Sequence, residues 1–272
     1  MITALAGGTG AAKFLRGLVR LVDESALTVV GNTGDDIELW GLRISPDLDT
    51  VTYTLAGLID DTKGWGVRDD SFYCLRAMAA LGRETWFNLG DRDLATHLVR
   101  TESLQRGLPP SAVTEQILRA LGVRCRILPM SDQPVRTKIR SPTGWLSFQE
   151  FFVREKAQVE VLDIVYEGAE AARPAWGVIE AIQEARGVVV CPSNPVTSIG
   201  PILAVPGIVE ALKATPAAVV AISPIVAGAA VSGPAGTLMA ARGLPVSAAG
   251  VALAYREWLD VMVVDHRDQG LT

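Results

Sequence analysis

The sequence predicts an α/β fold built on a doubly wound, mostly parallel sheet, with a helical insertion and a β-hairpin. Three observations predict it. Short β-branched runs alternate with amphipathic helical stretches. The runs are apolar throughout, as in strands covered on both faces. Loops rich in glycine, serine and proline follow several of these runs, where an open parallel sheet carries its ligand.

The strands, in order, are residues 2–6, 27–31, 159–165, 187–191, 218–222 and 261–264, with a further one at 123–128. Between them, helical spacing marks 11–22, 71–81, 95–105, 111–121, 176–184, 209–214 and 238–241. The first helix sets Phe14, Leu15, Leu18, Val19 and Val22 on one face. Residues from about 60 to 121 hold helices and few strand signals, and read as an insertion. Residues from about 135 to 153 read as a hairpin turning at Ser141-Pro142-Thr143-Gly144. Neither a repeat nor a low-complexity linker divides the chain, so residues 1–272 read as one domain.

Composition narrows the function classes. With 49% hydrophobic and 20% charged residues, the 272-residue chain has ordinary globular composition and length to bury a core. A net charge of −5 without a basic cluster argues against nucleic acid as a partner. There is no apolar run of the roughly 18 residues that a membrane span needs, and the amino terminus lacks a basic n-region. Cys74, Cys125 and Cys191 lie far apart in no metal spacing. These features predict a cytoplasmic protein with no membrane contact and reduced thiols. Cys191 reads as a buried strand residue and not a nucleophile, since no neighbour in the sequence would make it a thiolate.

The loops carry the chemistry. The first strand runs into Gly7-Gly8-Thr9-Gly10, and a helix follows with Lys13 in its first turn. Glycines permit a sharp turn and let a phosphate approach the N–H groups of the helix start. A phosphate there would also offset the poor placement of Lys13 at the positive end of the helix. The spacing is not that of a Walker A loop, and Lys13 stands where a dinucleotide fingerprint has its third glycine. The plainer reading is a tight turn with a surface lysine. After the second strand come Asp35 and Asp36, then Asp47 and Asp49 in Ser-Pro-Asp-Leu-Asp-Thr, then Asp60 and Asp61. Loop carboxylates are what a hard cation such as Mg²⁺ requires. On an extended chain, Asp47 and Asp49 would point the same way. Capping of turns and helices is the bland alternative. Arg92, beside a glycine in Gly90-Asp91-Arg92-Asp93, could reach a phosphate or a planar ring or simply form a salt bridge; His97 reads as a helix-face residue. In the late loop 192–201, Ser193, Asn194 and Ser198 supply donors and acceptors before Gly200.

Taken together, these motifs are specific. Gly-Gly-Thr-Gly-Ala-Ala-Lys, Ser-Pro-Asp-Leu-Asp-Thr, Gly-Asp-Arg-Asp-Leu-Ala-Thr-His, Pro-Met-Ser-Asp and Pro-Ser-Asn-Pro-Val-Thr-Ser-Ile-Gly-Pro-Ile-Leu resemble the 2-phospho-L-lactate transferase (CofD) family, in family order from residue 7 to about 237. The resemblance implies a Rossmann-like fold and a homodimer. It also implies a Mg²⁺-dependent step of coenzyme F-420 synthesis. In that step the terminal ribityl hydroxyl of the deazaflavin Fo attacks a guanosine-diphosphate-linked three-carbon acid, and GMP leaves. Carried onto this sequence, Asp49 and Arg92 would contact Fo, with Asp49 the candidate base. Gly7, Gly8, Thr9, Gly10, Lys13, Ser193, Asn194, Ser198 and Gly200 would surround the diphosphate and nucleotide. Asp35, Asp47 and Asp49 are the candidate metal ligands. Family members continue a few dozen residues beyond Asp265-His266-Arg267-Asp268. Two rival readings are a regulatory protein of the same core that binds nucleotide sugars, and a nicotinamide oxidoreductase. The missing third glycine disfavours the latter.

Overall fold

The computed structural model describes residues 1–271. Its central sheet has six parallel strands: β1 (Ile2–Ala6), β2 (Leu27–Gly31), β3 (Arg126–Pro129), β4 (Gly187–Val190), β5 (Ala218–Ile222) and β6 (Val261–Val263), in the spatial order β3-β2-β1-β4-β5-β6. β1 lies between β2 and β4, with Ile2 opposite Leu27 on one side and Gly187 on the other.

Alternation along the strands builds a core on each face of the sheet. Ala4, Ala6, Val29 and Ile127 pack against α1 (Gly8–Leu18), α2 (Pro46–Leu55) and the far end of the helical insertion, through Ala11, Leu15, Leu48, Val51 and Leu118. Leu5, Val30, Leu128, Val188, Val190 and Val219 point the other way, onto Val178, Ile182, Ile208, Leu212 and Leu238. A sheet so covered needs apolar residues at every strand position. Small residues bring helices close: a Cβ on Gly31 would lie 2.3 Å from the Leu48 side chain.

The insertion contains α3 (Tyr73–Ala80), α4 (Asp91–Gln105) and α5 (Pro110–Ala120), all within the β2–β3 crossover. Two aspartates hold the first two helices together. Asp70 accepts the N–H groups of Arg92 and Asp93 at the start of α4. Asp91 accepts those of Tyr73 and Cys74 at the start of α3. Each carboxylate satisfies donors that a helix start leaves free.

Two expectations need correction. The run 159–165 is not a strand of the parallel sheet. The strand there is Asp163–Glu167, which pairs antiparallel with Arg136–Ser141, itself paired with Gly144–Ser147. The hairpin is thus part of a three-stranded sheet. Ile164 is buried while Val165 is exposed, the alternation of a sheet with one wet face. The second correction is α2: the segment around Asp47 and Asp49 is helical, not extended, with Pro46 at its first position and both aspartates in its first turn. Among the described residues no single helix is long and apolar enough to cross a membrane.

Candidate active site

β1 and β4 are neighbours whose onward connections run in opposite directions, toward β2 and toward β5. Such a switch point opens a crevice at the carboxyl edge of the sheet. The glycine turn after β1 and the loop after β4 meet there. Ser193 Oγ donates to the Gly7 carbonyl at 2.8 Å and accepts from Gly7 N–H at 3.3 Å. A Cβ on Gly7 would lie 2.6 Å from Ser198 Cβ, and one on Gly10 would lie 2.2 Å from the Pro192 carbonyl oxygen. Gly8 has φ +68°, in the left-handed region. The glycines are therefore needed first for close contact between two loops almost 190 residues apart.

The other loop candidates have identifiable work. Asn194 Oδ1 accepts from Val196 N–H at 2.9 Å and caps the wide helical turn Pro195–Ile199. Gly200 makes room for Tyr166, whose hydroxyl donates to the Val196 carbonyl. Thr9 and Lys13 face a small cavity of about 140 Å³ shared with Arg16, Asp61 and Gly64, in which Arg16 and Asp61 form an ion pair.

The carboxylates separate into two groups. Asp47 accepts from Asn32 Nδ2 at 2.8 Å and from the Gly8 backbone, at the start of α1. Burial nevertheless pushes its carboxyl up to about 6. Asp35, fully enclosed, is raised first by burial and then by the charge of Asp47, and its Oδ1 has no hydrogen-bond partner. Asp36 accepts from Ser45 Oγ at 3.0 Å, and burial raises it to about 7 against the pull of Arg136 and Arg100. Asp49 turns elsewhere. Both its oxygens accept from Arg100, one at 3.0 Å. Residues i and i+2 stand about 200° apart on a helix, so Asp47 and Asp49 diverge where an extended chain would have aligned them.

The three candidate metal ligands accordingly do not form one cluster. Among the described residues no group of three or more His, Cys, Asp or Glu side chains could hold a metal ion. Asp35 and Asp47 do stay together. A buried carboxylate pair with an unpartnered oxygen matches the way Mg²⁺ binds, through one or two carboxylates completed by phosphate and water.

Arg92 sits exposed in the first turn of α4, donating to the Arg68 carbonyl at 3.0 Å. The partner of Asp49 is Arg100, about 12 Å further along that helix. Sequence reasoning missed this residue. Asp93, His97 and Arg100 form an i, i+4, i+7 stripe facing α2. His97 Nδ1 lies 3.0 Å from Arg100 and Nε2 lies 3.2 Å from Asp93, which accepts from Tyr53 Oη at 2.8 Å. A charged stripe at helical spacing was the available signal.

Beyond the first turn of α2, at the ends of β2 and β3, lies a cavity of about 290 Å³ lined by Thr33, Asp36, Arg43, Leu48, Gln133 and Arg136 among others.

Sheet order and switch-point loops define a Rossmann-like α/β protein. Known proteins agree. A family model described as 2-phospho-L-lactate transferase CofD matches residues 2–271. A 2-phospho-L-lactate transferase from Methanococcoides burtonii is 46% identical, covering 96% of this chain and 85% of that protein. A phosphoenolpyruvate transferase from Streptomyces griseus is 50% identical, covering 99% and 86%. A crystal structure of a UPF0052 family member from Bacillus halodurans shares the fold, with a TM-score of 0.64, 18% identity, and coverage of 97% of this chain and 79% of that one. The chain belongs to the CofD family and is a transferase of that type.

Proposed function

We propose that this enzyme moves a phospho-three-carbon-acid group, of the 2-phospholactate or phosphoenolpyruvate kind, from a guanosine-diphosphate-activated donor to the deazaflavin Fo in coenzyme F-420 synthesis. The terminal hydroxyl of Fo attacks the phosphorus bearing the acid. The bond from that phosphorus to the bridging oxygen breaks, and GMP leaves with the bond's electrons. The single observation that carries this reading is the meeting of Gly7 and Ser193 at the switch point, which sets the α1 N–H groups beside a second small-residue loop.

In this reading, the glycine turn and the 192–201 loop hold the diphosphate. Asp35 and Asp47 would hold Mg²⁺, which when bound supplies charge neutralisation at the phosphates. Asp49, gripped by Arg100, keeps lone pairs for the Fo hydroxyl and receives its proton; Arg92 meets Fo at the open end of α4. Catalysis rests on alignment and fixed dipoles. The reading includes a cytoplasmic homodimer, which sedimentation of the purified protein tests as to assembly.

Incubation with Fo, Mg²⁺ and a mixture of phospholactate, phosphoenolpyruvate and phosphoglycerate donors should release GMP, and the product's mass identifies the acid. Tight Fo binding without GMP release would overturn the proposal.

A further inference from the structure

The buried stripe of α4 makes a contact that the transfer chemistry above leaves unused. Asp49 and Tyr53 stand one turn apart on α2, and Asp93, His97 and Arg100 face them from α4. Tyr53 Oη donates to Asp93 at 2.8 Å, and Arg100 grips both oxygens of Asp49. His97 sits between these two links and is 1% exposed.

The Nη1 atom of Arg100 has two hydrogens. One goes to Asp49 Oδ2 and the other to His97 Nδ1, each at 3.0 Å. A guanidinium only donates, so Nδ1 is the acceptor and the ring proton sits on Nε2. Nε2 in turn lies 3.2 Å from Asp93 but makes no aligned hydrogen bond. The directional link of the ring is therefore the one to Arg100. Without that acceptor, Arg100 would keep an N–H with no partner in a place closed to water, which is costly. The guanidinium would turn to satisfy it and carry the Asp49 carboxylate along.

We propose that His97 is a positioning residue for the transfer. Through Nδ1 it fixes the Arg100 guanidinium, and the guanidinium fixes the plane of the Asp49 carboxylate that meets the acceptor hydroxyl. The inference rests on the reading of Asp49 as the group that receives the hydroxyl's proton, and adds what aims it. Enclosed as it is, His97 reaches no substrate and acts only through Arg100.

Two replacements separate aiming from packing, since both remove the ring. Asparagine sets its carbonyl oxygen near the place of Nδ1. Glutamine sets its amide near Nε2 and leaves Arg100 without the acceptor. Steady-state transfer to Fo by the full chain is measured with Mg²⁺ and whichever of the phospholactate and phosphoenolpyruvate donors the wild type uses. His97→Gln should lower kcat about 10- to 100-fold, with KM for Fo held within about threefold. His97→Asn should recover most of that loss. Equal rates in the two variants, or a loss in KM alone, overturn the inference. Nitrogen NMR of the wild-type ring needs no variant to fold. It should show a bare Nδ1 and a protonated Nε2; a proton on Nδ1 overturns the inference as well. Each of these results, with normal transfer by the wild type, leaves the proposed reaction standing. Absence of GMP release by the wild type overturns that reaction and this inference together.

Discussion

Arg100 shows how much one side chain can carry. It is 6% exposed, and its guanidinium meets both oxygens of Asp49, itself 4% exposed. Removing one partner of a buried pair strands the other's charge in a poorly solvated place. Arg100→Met should therefore lower unfolding stability by about 3–5 kcal/mol in denaturant melts. Arg92→Met, on the exposed first turn of the same helix, should leave stability nearly unchanged while weakening Fo binding. Equal stability losses for the two would contradict this assignment. The thiols allow a second test at this scale. Cys74 is exposed, Cys125 and Cys191 are buried. Burial pushes the Cys125 thiol up to about 12 and that of Cys191 well above its ordinary value. A thiolate is the reactive form, so a chromogenic disulfide should titrate Cys74 alone in the native protein and all three thiols after unfolding.

Gly7, just before α1, and Gly17, inside it, separate what a turn requires from what a helix tolerates. A Cβ on Gly7 would press on Ser198 and on Asp47, at 2.6 and 2.7 Å. Gly17 has nothing within 4 Å of its would-be Cβ. Gly7→Ala should abolish transfer and lower the melting temperature. Gly17→Ala should raise stability by up to about 1 kcal/mol, the helix-propensity difference; thermal melts of the two variants compare them directly. The same contrast explains what was legible in the sequence. The central strands showed as unbroken apolar runs, and the glycine turn showed as a cluster of glycines between a strand and a helix, although the contact that requires them is with a loop almost 190 residues away. α2 did not show. Thr50, Val51, Thr52 and Thr54 are β-branched and favour strands; the fold makes them helical by burying nearly the whole segment against α1 and β3. The Arg100–Asp49 pair could not be read either, because it joins residues 51 positions apart on elements whose packing no local pattern specifies.

Across the whole molecule, the buried carboxylates set a pH dependence opposite to ordinary acid unfolding. Asp36 and Asp47 are raised to about 7 and about 6 from 3.8, and Asp35 is raised as well. Between these values and 3.8 the native state holds protons that the unfolded chain has released. Stability changes with pH in proportion to protons bound unfolded minus protons bound native. That difference is negative here, so stability falls as pH rises through the window from about 4 to 7. Hydrogen-bonded carboxylates with lowered values, such as Asp60 and Asp265, act in the other direction, and only below that window. The net charge of −5 works the same way as the buried group, since acidification relieves self-repulsion. Thermal melts in chelator should therefore give a higher midpoint at pH 5 than at pH 7. Adding Mg²⁺ should raise the pH 7 midpoint more than the pH 5 one and flatten the slope, because a cation between Asp35 and Asp47 favours their ionised forms. Asp36→Asn should remove part of the slope with or without metal. A midpoint that rises from pH 5 to 7 in chelator would mean that these carboxylates are ionised and matched by charges other than the ones identified.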